Sequence, residues 1–152
     1  MADERPSLPP LPAPLAVELS RLDPWSFWTV PVEEGRFAIV GTTGAFLVQV
    51  HDGEGYLEAG RRRATVGRER VGGLWRLRRS ATALQAQLGR WAVLTTVEPV
   101  VCLTRATAGS PRTVAGVRLV PVSHLSKEIA GRRKTLNADR ARRGAERLTG
   151  GR

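Results

Sequence analysis

The sequence predicts a single mixed α/β domain, and three observations support this: chain length, hydrophobic periodicity and the placement of turn residues. The 152 residues suit one domain of ordinary size. Short apolar runs bounded by turn residues are typical of strands, whereas the segment 74–88 has the longer period of a helix. The predicted order is helix, three strands, helix, two strands and two helices, which favours a meander and a helix crossover into further strands.

The first part of the chain is predicted to pass from a proline-rich tail into a helix and several strands. The tail, 1–14, contains "SLPPLPAP" and is expected to be flexible and extended. A short helix follows, on which Leu15, Leu19 and Leu22 share one face. Period-two alternation and turn residues then predict strands at 25–32, 37–41 and 45–50, and the segment 55–60 is a further candidate strand that would complete the meander.

The clearest helix lies in the middle of the chain, after a glycine-containing segment, 61–73, that is interpreted as a basic loop. Apolar residues recur at steps of three and four, which places them in one stripe facing the core. Gly89 is predicted to end this helix. The stripe consists of Leu74, Leu77, Ala81, Leu84 and Leu88.

The later part of the chain is predicted to add two buried strands, at 99–104 and 117–122, because both runs are almost entirely apolar. Ser123 is expected to cap a short helix and Asn137 a last one. The predicted organisation is therefore a domain over 15–131, followed by a basic helix and tail at 132–152. The single cysteine, Cys102, excludes an internal disulfide and a multi-cysteine zinc site, and it is expected to be buried.

The charge of the chain, +10, is unevenly distributed and favours a polyanionic partner. Residues 1–60 carry three Arg and nine acids, whereas residues 61–79 carry eight Arg and one Glu. Arg outnumbers Lys 22 to 2, so a GC-rich genome and a merely solvated basic surface form the competing interpretation. An acidic protein or membrane surface is a third.

Neither a membrane span nor a secretion signal is predicted. No apolar run approaches the ~20 residues that cross a bilayer. The N-terminal segment is acidic and interrupted by prolines, unlike a signal peptide. A cytoplasmic protein without membrane contact is the expectation.

Several stretches resemble the nuclease-related domain (NERD) family, a branch of the PD-(D/E)xK, or restriction-endonuclease-like, fold. "RFAIVGTTGAFLVQVH", at 36–51, stands where the family has an acidic residue, two apolar strands joined by a glycine turn, and Glu-x-Lys. The later "RLRRSATALQAQLG", "VEPVVCLT", "AGVRLVPVSHL" and "LNADRARRGAERL" are similar to the helix, strands and last helix of the family. The resemblance spans about residues 15–149. It implies a restriction-endonuclease-like mixed sheet with a β-meander, a crossover helix and C-terminal helices.

The chain departs from the family at the residues that perform its chemistry. The family's carboxylates hold Mg²⁺, which activates a water molecule, and its Lys acts on the same face of the strand. Arg36, Gln49 and His51 stand at these positions, with Glu18 as the candidate remaining carboxylate. An arginine in place of the key acid should repel a divalent cation. No catalytic residue, metal or cofactor is therefore expected.

The acids that follow the motif leave an alternative open. Asp52 and Glu54, in "HDGEG", are interpreted either as migrated metal ligands or as part of a turn, which is the commoner use of Asp with Gly. His51 and His124 are interpreted as rim residues rather than ligands. "GTTG" lacks the lysine of a phosphate-binding loop and is interpreted as a turn.

The resemblance places the basic loop and the following helix near the family's catalytic edge, where cations could contact phosphates. Trp75 is interpreted as packing at the helix start, with stacking on a nucleic-acid base as the alternative. The leading hypothesis is a catalytically inactive nuclease-related module that binds nucleic acid without strong sequence preference. A divergent Mg²⁺-dependent nuclease and a module for an acidic protein partner are the alternatives. The predicted phosphate contacts are Arg61, Arg62, Arg63, Arg68, Arg70, Arg76, Arg78 and Arg79.

Overall fold

The computed structural model describes residues 11–33 and 35–150, which form two β-sheets and four α-helices. The predicted mixed α/β class with a meander is confirmed, and it is consistent with a restriction-endonuclease-like description. The helices are α1 (Ala13–Leu19), α2 (Leu74–Arg90), α3 (Leu125–Ala130) and α4 (Ala138–Gly150), with a 3₁₀ turn at Val122–His124. The strands are β1 (Phe27–Glu33), β2 (Arg36–Gly41), β3 (Gly44–His51), β4 (Gly55–Ala59), β5 (Ala64–Val66), β6 (Glu69–Arg70), β7 (Val97–Leu103), β8 (Ala106–Thr107), β9 (Arg112–Val114) and β10 (Val117–Pro121).

The larger sheet has six strands in the order β1-β2-β3-β7-β10-β9. Strands β1, β2 and β3 form an antiparallel meander, and β7 then pairs in parallel with both β3 and β10. A parallel pair needs a long crossover connection, and α2 lies within the one that joins β3 to β7. The smaller sheet has the order β6-β5-β4-β8.

Helices cover both faces of the larger sheet, because successive strand side chains point to opposite sides. On one face α2 and α4 pack over a core that includes Val40, Leu47 and Val101. On the other face α1 and α3 pack over Phe37, Phe46, Val48 and their neighbours. No helix in the described part of the chain is long and apolar enough to span a membrane.

Two predictions about the strands were wrong. Strand β4 does not extend the meander, since it leaves the large sheet and pairs with β5 and β8. The segment 61–73, interpreted as a basic loop, contains the hairpin β5–β6, in which Ala64 and Val66 are buried. An apolar pair separated by one residue is too short to reveal a strand by periodicity.

The helix termini are partly as predicted. All five stripe residues of α2 are buried, which confirms its register, but the helix passes Gly89 and ends at Arg90. Asn137 caps α4, since its Oδ1 accepts the Arg140 N–H at 2.8 Å. Ser123 does not cap α3, which has no side-chain cap from the residue before it. The capping carboxylate instead comes from a distant helix, as described below.

Helix α4 belongs to the main core, although the sequence predicted a separate basic segment at 132–152. It packs across β1 and β2, with Ala141, Gly144 and Ala145 buried. A methyl group on Gly144 would lie 3.3 Å from Val93 Cγ1, so the helix approaches its neighbours closely. Removing this segment would expose the core.

Candidate nucleic-acid interface

An open cleft of about 840 Å³ lies between α2 and the ends of the first three strands. Arg36 on β2 and Gln49 on β3 lie side by side in it, because they are directly paired across the two strands. Trp75, Arg79 and Ser80 line the cleft from α2. Two of the degenerate motif positions therefore meet in the largest of the recesses described here.

Hydrogen bonds hold the two motif side chains in fixed positions. The Arg36 guanidinium donates to Gln49 Oε1 at 3.2 Å, to Glu33 Oε1 at 2.8 Å and to Ser80 Oγ at 3.0 Å. Gln49 Nε2 donates to the Gly72 carbonyl at 3.2 Å. Arg36 thus links three elements, β1, β3 and α2, while Gln49 anchors the backbone that leads into α2.

The magnesium ion implied by the family resemblance does not suit these residues. Mg²⁺ binds through carboxylates and other oxygen ligands, and a guanidinium occupies the position of the key acid. Glu33 is the one carboxylate among the described residues that line the cleft, and its Oε1 is paired with Arg36. In the described ranges there is no group of three His, Cys, Asp or Glu residues that could hold a metal.

The other two motif positions lie elsewhere. His51 does not line the cleft; its Nε2 is buried without a hydrogen-bond partner among the described residues. A methyl group on Gly53 would lie 2.7 Å from both His51 Nε2 and Glu69 Oε2. Glu18 faces the opposite side of the sheet, where its Oε2 accepts hydrogen bonds from Ser126 N at 2.9 Å and Ser126 Oγ at 2.6 Å. Glu18 is therefore the distant cap of α3, and it is not a carboxylate of the cleft.

The two candidate migrated acids bind other protein groups. Asp52 Oδ1 accepts the Thr104 hydroxyl at 2.7 Å and lies 3.5 Å from Arg105 Nε. Glu54 Oε1 lies 3.1 Å from Arg105 Nη1. These contacts tie the residues after β3 to those after β7, and neither acid lines the cleft. His124 likewise contacts its neighbour, with Nδ1 3.3 Å from Ser123 Oγ.

The eight arginines predicted to contact phosphates are all exposed, and we call them together the arginine surface. None of the eight forms an ion pair with a carboxylate in the described parts of the chain. Arg62, Arg63, Arg70 and Arg76 line a second recess of about 480 Å³ at the start of α2. Arg78 and Arg79 line a third, of about 440 Å³, along the helix. Arg61 and Arg68 line none of these three recesses.

Trp75 is 62% exposed, so this side chain at the helix start does not pack into the core. The guanidinium carbon of Arg79 lies 4.8 Å from the centroid of its ring, within the range of a cation–π interaction. Trp75 lines the cleft and both smaller recesses. Trp75 therefore lies at the junction of the cleft and the two smaller recesses.

The hairpin β9–β10 supports the arginine surface from one side, and the sequence did not reveal this. The Ala115 N–H donates to the Arg61 carbonyl at 2.9 Å. A methyl group on Gly116 would lie 3.0 Å from Arg78 Nε, so Arg78 rests against this glycine. Ser80 was also missed, although the spacing of Arg76, Arg79 and Ser80 could have placed all three on one helix face.

Cys102 is fully buried, as predicted, on the face of the sheet covered by α1 and α3. Burial raises the pKa of its thiol to about 12, and the charge of Glu18 adds to this. The thiol is therefore protonated at neutral pH and inaccessible to reagents.

No protein-family model, curated protein or solved structure matches the chain. Membership of the nuclease-related domain family therefore stays a prediction. What bears on function is the charge and geometry of the cleft and the arginine surface.

Proposed function

We propose that this protein is a catalytically inactive nuclease-related module that binds nucleic acid, without strong sequence preference, through the arginine surface. The observation that carries the proposal is a set of eight exposed arginines, unpaired among the described residues, six of which line three adjoining recesses. Guanidinium groups offer forked donors that match phosphate oxygens. Phosphate contacts position a nucleic acid without reading its sequence.

Pairing separates these arginines from Arg118 and Arg132 of the same chain. Arg118 and Arg132 both contact Glu128, and Arg132 also contacts Glu98 at 2.7 Å. Their charges are therefore largely compensated within the protein. The segment 61–79, with eight Arg and one Glu, keeps its charge available for an external polyanion. Arg140, Arg143 and Arg147 of α4 are also unpaired among the described residues, but they line none of the three recesses. The lack of ion pairs and the clustering around recesses together favour a binding surface over a composition effect, which would not depend on position.

The inactive assignment rests on Arg36. Its guanidinium lies in the cleft where the resemblance would place the family's first acid, and its positive charge would repel a divalent cation. Because Arg36 is itself paired with Glu33 at 2.8 Å, the cations of the cleft that remain available to a phosphate are Arg76 and Arg79.

Salt-dependent binding is the direct test. Labelled duplex DNA is titrated with the protein over a salt series, and affinity is read from fluorescence anisotropy. Three to five phosphate contacts, about what one helix start and one loop can make, give a slope of roughly −0.9 per contact on the double-logarithmic plot. Changing Arg62, Arg63 and Arg70 together to Gln should weaken binding to all sequences and flatten the slope by up to about three units.

A second triple variant provides a matched control, because it removes the same charge from a different surface. Arg140, Arg143 and Arg147 are exposed on α4 and form no ion pair among the described residues. Changing them to Gln should leave the slope almost unchanged. The proposal would be overturned if both triple variants lost the same affinity for DNA, or if the wild type did not bind DNA at low salt. Deleting 132–152 is unsuitable as a control, since α4 forms part of the core.

The same samples test the inactive assignment when incubated with Mg²⁺ and run on a gel. No cleavage is expected. If products form with Mg²⁺, and Asp52→Asn or Glu54→Gln abolishes them, the protein is a nuclease with migrated carboxylates. If nucleic acid fails to bind while an acidic polypeptide binds, the partner is a protein.

A further inference from the structure

Trp75 differs from the other three tryptophans of the chain in its surroundings. Trp28 and Trp91 are half-buried against the core formed with α2 and α4. Trp25 is 80% exposed, but it lines none of the three recesses. Trp75 is 62% exposed within the arginine surface, and its indole N–H has no hydrogen-bond partner among the described residues. Of the exposed aromatic side chains in the described residues, which are Trp25, Tyr56 and Trp75, Trp75 is the one that lines these recesses and lies among cations.

The recesses on the two sides of Trp75 have different chemical character. The second recess carries Arg62, Arg63, Arg70 and Arg76, which suits phosphates. The cleft is wider, about 840 Å³, and it is lined by a carboxylate and two neutral polar side chains in addition to its arginines: Glu33, Gln49 and Ser80. Trp75 lines both recesses. A ligand in which phosphates alternate with planar rings could therefore place a phosphate in the second recess and a ring against Trp75.

The geometry points to Trp75 as a stacking platform for an unpaired nucleic-acid base, so that the arginine surface prefers single-stranded over duplex nucleic acid. This inference rests on the proposed function and names its substrate class. Bases inside a duplex are covered on both faces by their neighbours, and they cannot stack on a protein ring without leaving the helix. Single-strand binding proteins combine a basic groove with aromatic platforms in the same way. Stacking tolerates any base, because every base has a π-face.

Arg79 completes the platform. Its guanidinium lies over one face of the Trp75 ring, 4.8 Å from the ring centroid, so a base would stack on the opposite face. Arg79 also lines the cleft, so it can reach the phosphate that follows the stacked base. Trp75 is thus the residue expected to distinguish single strands from duplexes, whereas the arginines bind either.

The test compares binding of a labelled oligothymidylate of about 16 nucleotides with binding of a duplex of equal length. Trp75→Ala should weaken single-strand binding about 5- to 100-fold and duplex binding less than about 2-fold. Trp75→Phe, which keeps an aromatic face, should recover most of the affinity. Trp25→Ala is the matched control and should change neither. Thermal melts of all three variants should match the wild type, since both side chains are exposed.

A second readout is independent of affinity. Stacking quenches indole fluorescence, so adding the oligothymidylate to the wild type should lower its emission, and Trp75→Phe should remove most of that change. The stacking role would be overturned if Trp75→Ala lost the same affinity for the single strand and the duplex, or lost affinity for neither. It would also be overturned if the quenching persisted in Trp75→Phe. If the arginine triple still weakens both probes in that case, the proposed function survives without it. Absence of all binding by the wild type would overturn both.

Discussion

The two faces of the six-stranded sheet differ in how many of their charged side chains have partners within the protein. On the face covered by α1 and α3, Glu18 accepts two hydrogen bonds from Ser126. Around α3, the ions compensate one another in a chain that consists of Arg118, Glu128, Arg132 and Glu98. On the face covered by α2, the arginine surface makes no ion pair with any described residue. The first face uses charge to hold helices, whereas the arginine surface on the second face leaves its charge uncompensated.

This difference shows that the lack of ion pairs, together with a position around recesses, marks a candidate interface better than the number of arginines does. A buried carboxylate must be satisfied inside the protein, because losing its hydration is costly. Exposed arginines keep their hydration and add little to folding, so they can be changed with small effect on stability. We therefore expect mutations on the α1 and α3 face to change stability alone, and mutations of the arginine surface to change binding alone.

The largest expected effect tests which face of α2 is buried, because the arginine surface depends on the orientation of this helix. Leu77 is fully buried under α2, so Leu77→Ala should lower the free energy of unfolding by roughly 2–5 kcal/mol. Arg79→Ala, on the outer side of the same helix, should cost under about 0.5 kcal/mol. Urea unfolding measures both. The reverse ranking would mean that α2 presents a different face to solvent and that its arginines do not form one surface.

An intermediate effect is expected at Glu18. Glu18→Ala removes a buried acceptor from both Ser126 N and Ser126 Oγ, so it should cost about 1.5–3 kcal/mol of unfolding free energy. Nucleic-acid affinity, measured below the melting temperature of the variant, should stay at the wild-type value. A folded Glu18→Ala protein with altered binding would instead make Glu18 part of the site, and the two faces would not be functionally separate.

The smallest effect concerns the pH dependence of Glu98. Burial raises the pKa of this carboxyl, against the opposing influence of Arg132. Since the folded-state pKa lies above the unfolded value, the contribution of Glu98 to stability is present below the unfolded pKa and is lost as pH rises through the folded pKa. The difference in unfolding free energy, wild type minus Glu98→Gln, should therefore fall as the pH rises from the unfolded-state pKa of Glu98 through its higher folded-state pKa.

Urea unfolding at several pH values measures this difference, with Glu58→Gln as the control. Glu58 is exposed on β4 and forms no ion pair among the described residues. A difference for Glu98→Gln that stays flat or rises with pH would show that Arg132 outweighs burial. The ion pairs around α3 would then favour the charged form of Glu98 in the folded protein.

Much of the local structure follows from the sequence. The periodicity of apolar residues and the placement of glycines predict three features: the apolar stripe of α2, the hairpin β2–β3 and the buried strand around Cys102. The pairing of Arg36 with Gln49 follows from the same hairpin, because a tight turn sets the register of its two strands. The basic character of 61–79 is a property of composition alone.

The tertiary structure decided which of these residues meet. Glu18 lies on the face away from Arg36, and β4 leaves the meander for a second sheet. Trp75 is exposed, although its neighbours in sequence, Leu74 and Leu77, are buried. Each outcome depends on contacts between residues far apart in the chain, whereas periodicity reports only which side of an element is apolar. The sequence by itself determined the elements and the charge; long-range packing determined which charges are compensated, because an ion pair requires two distant segments to be brought together.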